Sequence, residues 1–135
     1  MLHLMFMILL VITGSVDLMT RKINNLFPLL IALLAVCRMV CDPSCVWSCI
    51  AGCLIVSIPL LLLTLRFGGL GGGDIKLTAA CGLYLGVDSV LKGCFFAAVF
   101  ALIGYFIRFL YKKECDQTFA FGPYLAAGFI LASFL

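Results

Sequence analysis

Six apolar runs follow one another along this chain, at about 2–18, 26–41, 45–65, 75–87, 89–111 and 119–135, with only a few polar or glycine residues between them. Runs of this kind are what a chain needs to cross a bilayer, whose hydrocarbon core takes about 20 apolar residues per helix. With 65% hydrophobic residues, 11% charged residues and a mean hydropathy of +1.28, there is too little polar material to cover a water-soluble surface. The expected fold is therefore all-α: a polytopic membrane protein with six transmembrane helices, forming one membrane-embedded domain over residues 1–135. The first run sits where a signal peptide would. It lacks a basic flank and ends in Asp17 rather than at a small-residue cleavage site, so it reads as a retained span.

Basic residues set the orientation. If the connection after the first span faces the cytoplasm, Arg21, Lys22, Arg66, Lys76, Arg108, Lys112 and Lys113 lie inside and Arg38 and Lys92 outside. A bias of seven against two predicts a multi-pass protein of the cytoplasmic membrane with both termini outside. The net charge of +3 then follows from topology and gives no reason to expect a nucleic-acid partner.

Two carboxylates stand out against this apolar background. Asp74 follows a glycine run in Gly71-Gly72-Gly73-Asp74-Ile75-Lys76-Leu77, and it opens the shortest apolar segment. A carboxylate within a bilayer costs roughly 2.5–3.5 kcal/mol on insertion scales, so one that is tolerated faces a partner, water or a substrate. A short, glycine-interrupted segment points the same way, because irregular backbone at depth survives only against protein or a wet cavity. Asp17 ends the first span, and the topology puts it on the same cytoplasmic side as Asp74. Two carboxylates brought within a few ångströms share a proton. One can act as base on a water while the other, protonated, polarises a peptide carbonyl, which is aspartic protease chemistry. Taken singly, either aspartate could instead cap a helix, line an ion path or hold a helix contact.

Three stretches resemble one family. Gly71 to Leu77 resembles the GxGD signature of intramembrane aspartic proteases, in the form seen in type IV prepilin leader peptidases. Asp17 to Asn25 is similar to that family's first aspartate motif, although Ile23-Asn24-Asn25 lacks the usual proline. Phe121-Gly122-Pro123-Tyr124-Leu125-Ala126 is similar to its closing FGP segment. The resemblance implies a catalytic pair, Asp17 and Asp74, and no cofactor or metal. It also implies site-shaping roles for Gly71 and Gly73, which would keep the helix start open to a substrate backbone, with tight helix packing as their alternative role. Gly122 and Pro123 either break the last span near the site or simply start a helix there. Lys76 either faces lipid headgroups or tunes the pair. The implied substrates are type IV prepilins or pseudopilin-like proteins, cut at the cytoplasmic edge of the membrane between a basic leader and an apolar helix. Glu114 and Asp116 could attract that leader or belong to a solvated loop. Larger family members carry a domain with paired CxxC motifs linked to N-methylation; this sequence has no CxxC, so peptidase activity without methyltransferase activity is expected.

Eight cysteines include Cys37, Cys41, Cys45, Cys49 and Cys53, four residues apart, but Asp42-Pro43 divides the series between two spans. Without zinc-site spacing they read as small packing residues, and Cys41 and Cys45 could pair in an outer loop. His3 takes no role; Trp47 and Tyr111 fall near predicted interfaces. The rival to a peptidase is a small transporter or an assembly scaffold that uses the same carboxylates for ions or helix contacts. The separate motif around Asp17 favours the peptidase.

Overall fold

The computed structural model describes residues 1–20, 25–67, 71–111 and 121–134, apart from the side chains of Phe67, Arg108 and Tyr111. Those residues form six α-helices and one 3-10 turn: α1 (Leu2–Thr20), α2 (Leu26–Cys41), a turn at Pro43–Cys45, α3 (Val46–Phe67), α4 (Gly72–Leu85), α5 (Val87–Tyr111) and α6 (Gly122–Phe134). The protein is an all-α, multi-pass membrane protein. Leu2–Thr20, Pro43–Arg66 and Val87–Ile107 are long and apolar enough to cross a bilayer. The other three helices are shorter: α2 has 16 residues, as its apolar run has, α4 has 14 and the described part of α6 has 13.

The breaks follow local chemistry. Asp42 precedes Pro43, which has no N–H and disfavours helix in the residue before it, so α2 stops and a turn begins. Gly86 has φ +83, a conformation that suits glycine, and this one residue turns the chain from α4 into α5. Pro28 lies in the first turn of α2, where its missing N–H costs nothing, whereas Pro59 sits inside α3.

Helix pairing is legible from a handful of contacts. Gly122 reaches Asp17 at one end of α6, and Ser133 Oγ donates to Met7 Sδ at the other, so α1 and α6 run antiparallel. Lys76 reaches Asn25 and Arg38 reaches the Tyr84 carbonyl, so α2 and α4 run side by side in the same direction. Between lipid-covered helices there is little hydrophobic drive, and close van der Waals packing over small residues holds them together. At the α3–α4 crossing Gly52 and Gly82 face each other so closely that a Cβ on Gly82 would lie 2.8 Å from the Gly52 carbonyl oxygen. On the other side of the bundle, Phe129 of α6 lies directly over Gly93 of α5.

The interior centres on Phe6 and Tyr84, whose rings stack at 4.1 Å, with Leu10, Ile31 and Leu77 buried around them. His3, given no role from sequence, stacks on the same tyrosine at 6.2 Å. The outer faces of α1, α3 and α5 leave residues such as Ile8, Ile58 and Leu102 half exposed or more, a surface suited to lipid. Trp47, at the start of α3, is 84% exposed, as an interfacial ring would be. The cysteines divide: Cys49 and Cys81 are buried packing residues, while Cys37 and Cys41 are exposed, which the packing role does not cover. Cys41 and Cys45 are free thiols.

Candidate active site

Asp17 lies three residues before the end of α1 and is buried, only 4% exposed. Its Oδ2 accepts a hydrogen bond of 3.0 Å from the backbone N–H of Gly122. That donor is available because Gly122 is the first residue of α6, and the first four N–H groups of a helix have no partner within it. The helix start also presents the positive end of its dipole to the carboxylate. Gly122 has to be a glycine here: a Cβ would collide with the Asp17 carboxyl group. The described part of α6 begins at Gly122, with Pro123 in the first turn where its fixed φ suits it.

Asp74 is in the first turn of α4, half-buried. The helix begins at Gly72, three residues earlier than the apolar run, because glycine hides its helical capacity from a hydrophobicity pattern. Gly71 is the extended residue that precedes it, at φ −65 and ψ 136, and its carbonyl accepts the Asp74 N–H at 3.0 Å. Any residue can adopt that backbone conformation. A Cβ on Gly71 would rest 3.4 Å from the Asp74 carboxyl, an ordinary contact. Gly73 is part of the first helical turn. Thr78, one turn on, donates to the Asp74 carbonyl at 2.8 Å and steadies the same stretch.

The fold brings the two aspartates to the same end of the bundle, where the start of α6 meets both the Asp17 carboxyl and the cavity that Asp74 lines. Gly122 holds Asp17, and the preceding Phe121 lines a cavity together with Asp74. This cavity has a volume of about 290 Å³ and is apolar apart from Asp74 and Thr78. Leu125, from the FGP-like stretch, also lines it, as do Pro59 and Cys94, which sequence reasoning gave no place at the site. Pro59 alone carried a signal, as a proline inside an apolar run. Among the described residues no group of three His, Cys, Asp or Glu side chains converges as a metal site would require.

Lys76 points elsewhere. Its exposed Nζ donates to the Asn25 side chain at 3.1 Å, tying the start of α4 to the start of α2. Arg21, Lys22, Ile23, Asn24, Lys112, Lys113, Glu114 and Asp116 lie outside the described residues.

A membrane-embedded helix bundle that gathers two aspartates at one end, beside an apolar cavity, defines a class of intramembrane carboxylate site. The chain belongs to the type IV leader peptidase family, whose model matches residues 4–110. A stretch of 66 residues, 48% of this chain, is 42% identical to the prepilin leader peptidase/N-methyltransferase of Bacillus subtilis (strain 168). That stretch covers 27% of the length of the curated relative. No solved structure matches the chain. The family match ends before Phe121-Gly122-Pro123, the segment that holds Asp17 in the tertiary structure.

Proposed function

We propose that the chain is a membrane aspartic endopeptidase that removes the basic leader from type IV prepilin or pseudopilin-like proteins, with Asp17 and Asp74 as its catalytic pair. The observation that carries this reading is a buried Asp17 carboxyl, held by the Gly122 N–H at the end of the bundle where Asp74 lines an apolar cavity together with Phe121. Membership of the leader peptidase family supports the reaction class.

The pair shares one proton, because two carboxylates in one poorly solvated site resist ionising together. The ionised member takes a proton from a water, whose oxygen adds to the carbonyl carbon of the scissile bond. At the same time the protonated member gives its proton to the carbonyl oxygen, forming a gem-diol. The member that took the proton from water then gives it to the amide nitrogen while the other, now ionised, takes a proton from a gem-diol hydroxyl, so that the C–N bond breaks, a carboxyl group forms on the leader and the shortened protein leaves with its new amine. Because the groups act as a unit, the pair and not either residue sets the pH dependence.

In this reading all six helices cross the membrane, and the end holding Asp17 and Asp74 faces the cytoplasm, an orientation supported by the bias of basic residues. A basic leader on that side is cut where its apolar helix enters the bilayer. Gly71 and Gly73 leave room for an extended substrate beside Asp74.

Co-expression with a prepilin-like substrate tests the assignment through the electrophoretic shift that leader removal produces. The shift should vanish with either Asp17→Asn or Asp74→Asn while each variant stays in the membrane. An undiminished shift in either one sinks the assignment, and a transporter or scaffold would give no shift even without substitution.

A further inference from the structure

We propose that the end of the bundle opposite Asp17 and Asp74 holds a phospholipid headgroup that carries both a phosphate and a primary amine, taken between Arg38 and Asp42. The site is separate from the candidate peptidase centre and stands whether or not that assignment does.

A recess of about 450 Å³ opens there, lined by Met1, Leu2, His3, Arg38, Asp42 and Tyr84. Pockets for small molecules run from roughly 300 to 1,000 Å³, so it has room for a headgroup. Its walls come from the beginning of α1 and the ends of α2 and α4, whereas Asp17 stands near the end of α1 and Asp74 at the beginning of α4. Trp47, largely exposed at the start of α3 and close behind Asp42 in sequence, marks the same end as membrane interface.

Two opposite charges share the recess without pairing. Arg38 and Asp42 are four residues apart, the spacing at which such side chains ordinarily meet on a helix. Here α2 ends at Cys41, and Asp42 leaves the helix at φ −129 and ψ 84. Arg38 turns to α4 instead: its Nη1 donates to the Tyr84 carbonyl at 2.6 Å, and its guanidinium lies over the Tyr84 ring. Among the described residues the exposed Asp42 therefore makes no ion pair, and most of the guanidinium's five N–H donors stay uncommitted. His3 stacks on the same ring at 6.2 Å, and an imidazole offers at least one N–H in either protonation state.

These groups select a ligand. Arg38 and His3 present donors to an oxyanion, and a phosphate suits the guanidinium fork. An anion alone would also meet the Asp42 carboxylate, which repels it. A primary ammonium on the same molecule removes that conflict, since it donates N–H to Asp42 while the phosphate lies on Arg38. A choline headgroup carries the positive charge without an N–H, and a glycerol headgroup carries hydroxyls without the charge. At the membrane interface the source of such a group is a lipid, whose glycerol end rests on Leu2.

Native mass spectrometry of the full chain in detergent, titrated with dihexanoyl phosphatidylethanolamine, phosphatidylglycerol or phosphatidylcholine, tests the site. The ethanolamine lipid should bind at least about tenfold more tightly than the other two, as one charge-assisted hydrogen bond allows. Asp42→Asn should bring the three lipids to within about threefold of one another, and Arg38→Gln should weaken all three by about tenfold. Asp42→Asn leaves no ion-pair partner behind, so it keeps the test open if Arg38→Gln proves too unstable to purify. Near-equal binding of the three lipids by the unsubstituted chain, tighter binding of either of the other two, or a preference that survives Asp42→Asn would overturn the proposal. Glycerophosphoethanolamine, added as competitor, distinguishes the source. Weak competition is expected; competition as strong as the lipid's own would make the occupant a soluble phosphate ester and overturn the lipid assignment.

Discussion

The Gly122 N–H donates to the Asp17 carboxyl at 3.0 Å, and no side chain fits between them. The start of α6 is thus a mould for one aspartate. Gly122→Ala should push that carboxyl away and weaken its hydrogen bond. A misplacement of about 1 Å can cost roughly 100-fold in rate, and a loss of that order is expected in the leader-cleavage assay, with the protein still folded in the membrane. Near-normal cleavage by this variant would show that Asp17 does not need its present position.

Asp17→Asn and Asp74→Asn should each remove activity to background. Residues that act as a unit give non-additive losses, so the double variant should be no worse than either single one. Comparing the three in one cleavage assay checks this, and additive losses would mean that the two aspartates act independently.

At the crossing of α3 and α4, Gly52→Val and Gly82→Leu each force a side chain into the opposing backbone, where a Cβ would already lie 2.7–2.8 Å from the nearest atom. Overpacking of this kind costs about 1–3 kcal/mol. Thermal unfolding in detergent should show the loss, and cleavage should fall with it because α4 carries Asp74. Wild-type melting of both variants would contradict the packing.

Arg38 donates to the Tyr84 carbonyl at 2.6 Å, and its guanidinium lies 5.0 Å from the centroid of the same ring. It serves the end of α4 opposite the aspartates, where a cation meets the negative end of the helix dipole. Arg38→Gln should lower stability by about 1 kcal/mol or somewhat more, as expected for a hydrogen bond from a charged donor. Cleavage measured well below the melting temperature should be close to unchanged, so a selective loss of activity would assign Arg38 a part in the chemistry.

Lys76 and Asn25 make an exposed hydrogen bond at the aspartate end. Lys76→Met and Asn25→Ala should each change stability by no more than about 1 kcal/mol, since water replaces the lost partner. Cleavage rates should move less than about tenfold, the equivalent of 1.4 kcal/mol. A larger fall in rate at unchanged stability would give the pair a role in positioning Asp74.

Much of this protein was legible before any coordinates. The apolar runs anticipated the helices to within a few residues, because a span in lipid must satisfy every backbone group within itself and so leaves a long apolar signature. Asp17 and Asp74 stood out because a charge is conspicuous where almost nothing else is polar. The early start of α4 was hidden, since glycine carries no hydrophobic signal. The second run coincides with α2, and the segment opened by Asp74 stood out as the shortest before any coordinates.

What the chain by itself determined, then, is the solvent, the six helices and the two candidate carboxylates, since each depends on residue type and local spacing. Only the tertiary structure decided that Gly122, 105 positions from Asp17, supplies its hydrogen bond, that Asp74 stands at an apolar cavity, and that Lys76 bonds Asn25. Those relations depend on which helix faces meet. In lipid that choice rests on the close fit of small residues such as Gly52 and Gly82, a property of paired surfaces that no single segment displays.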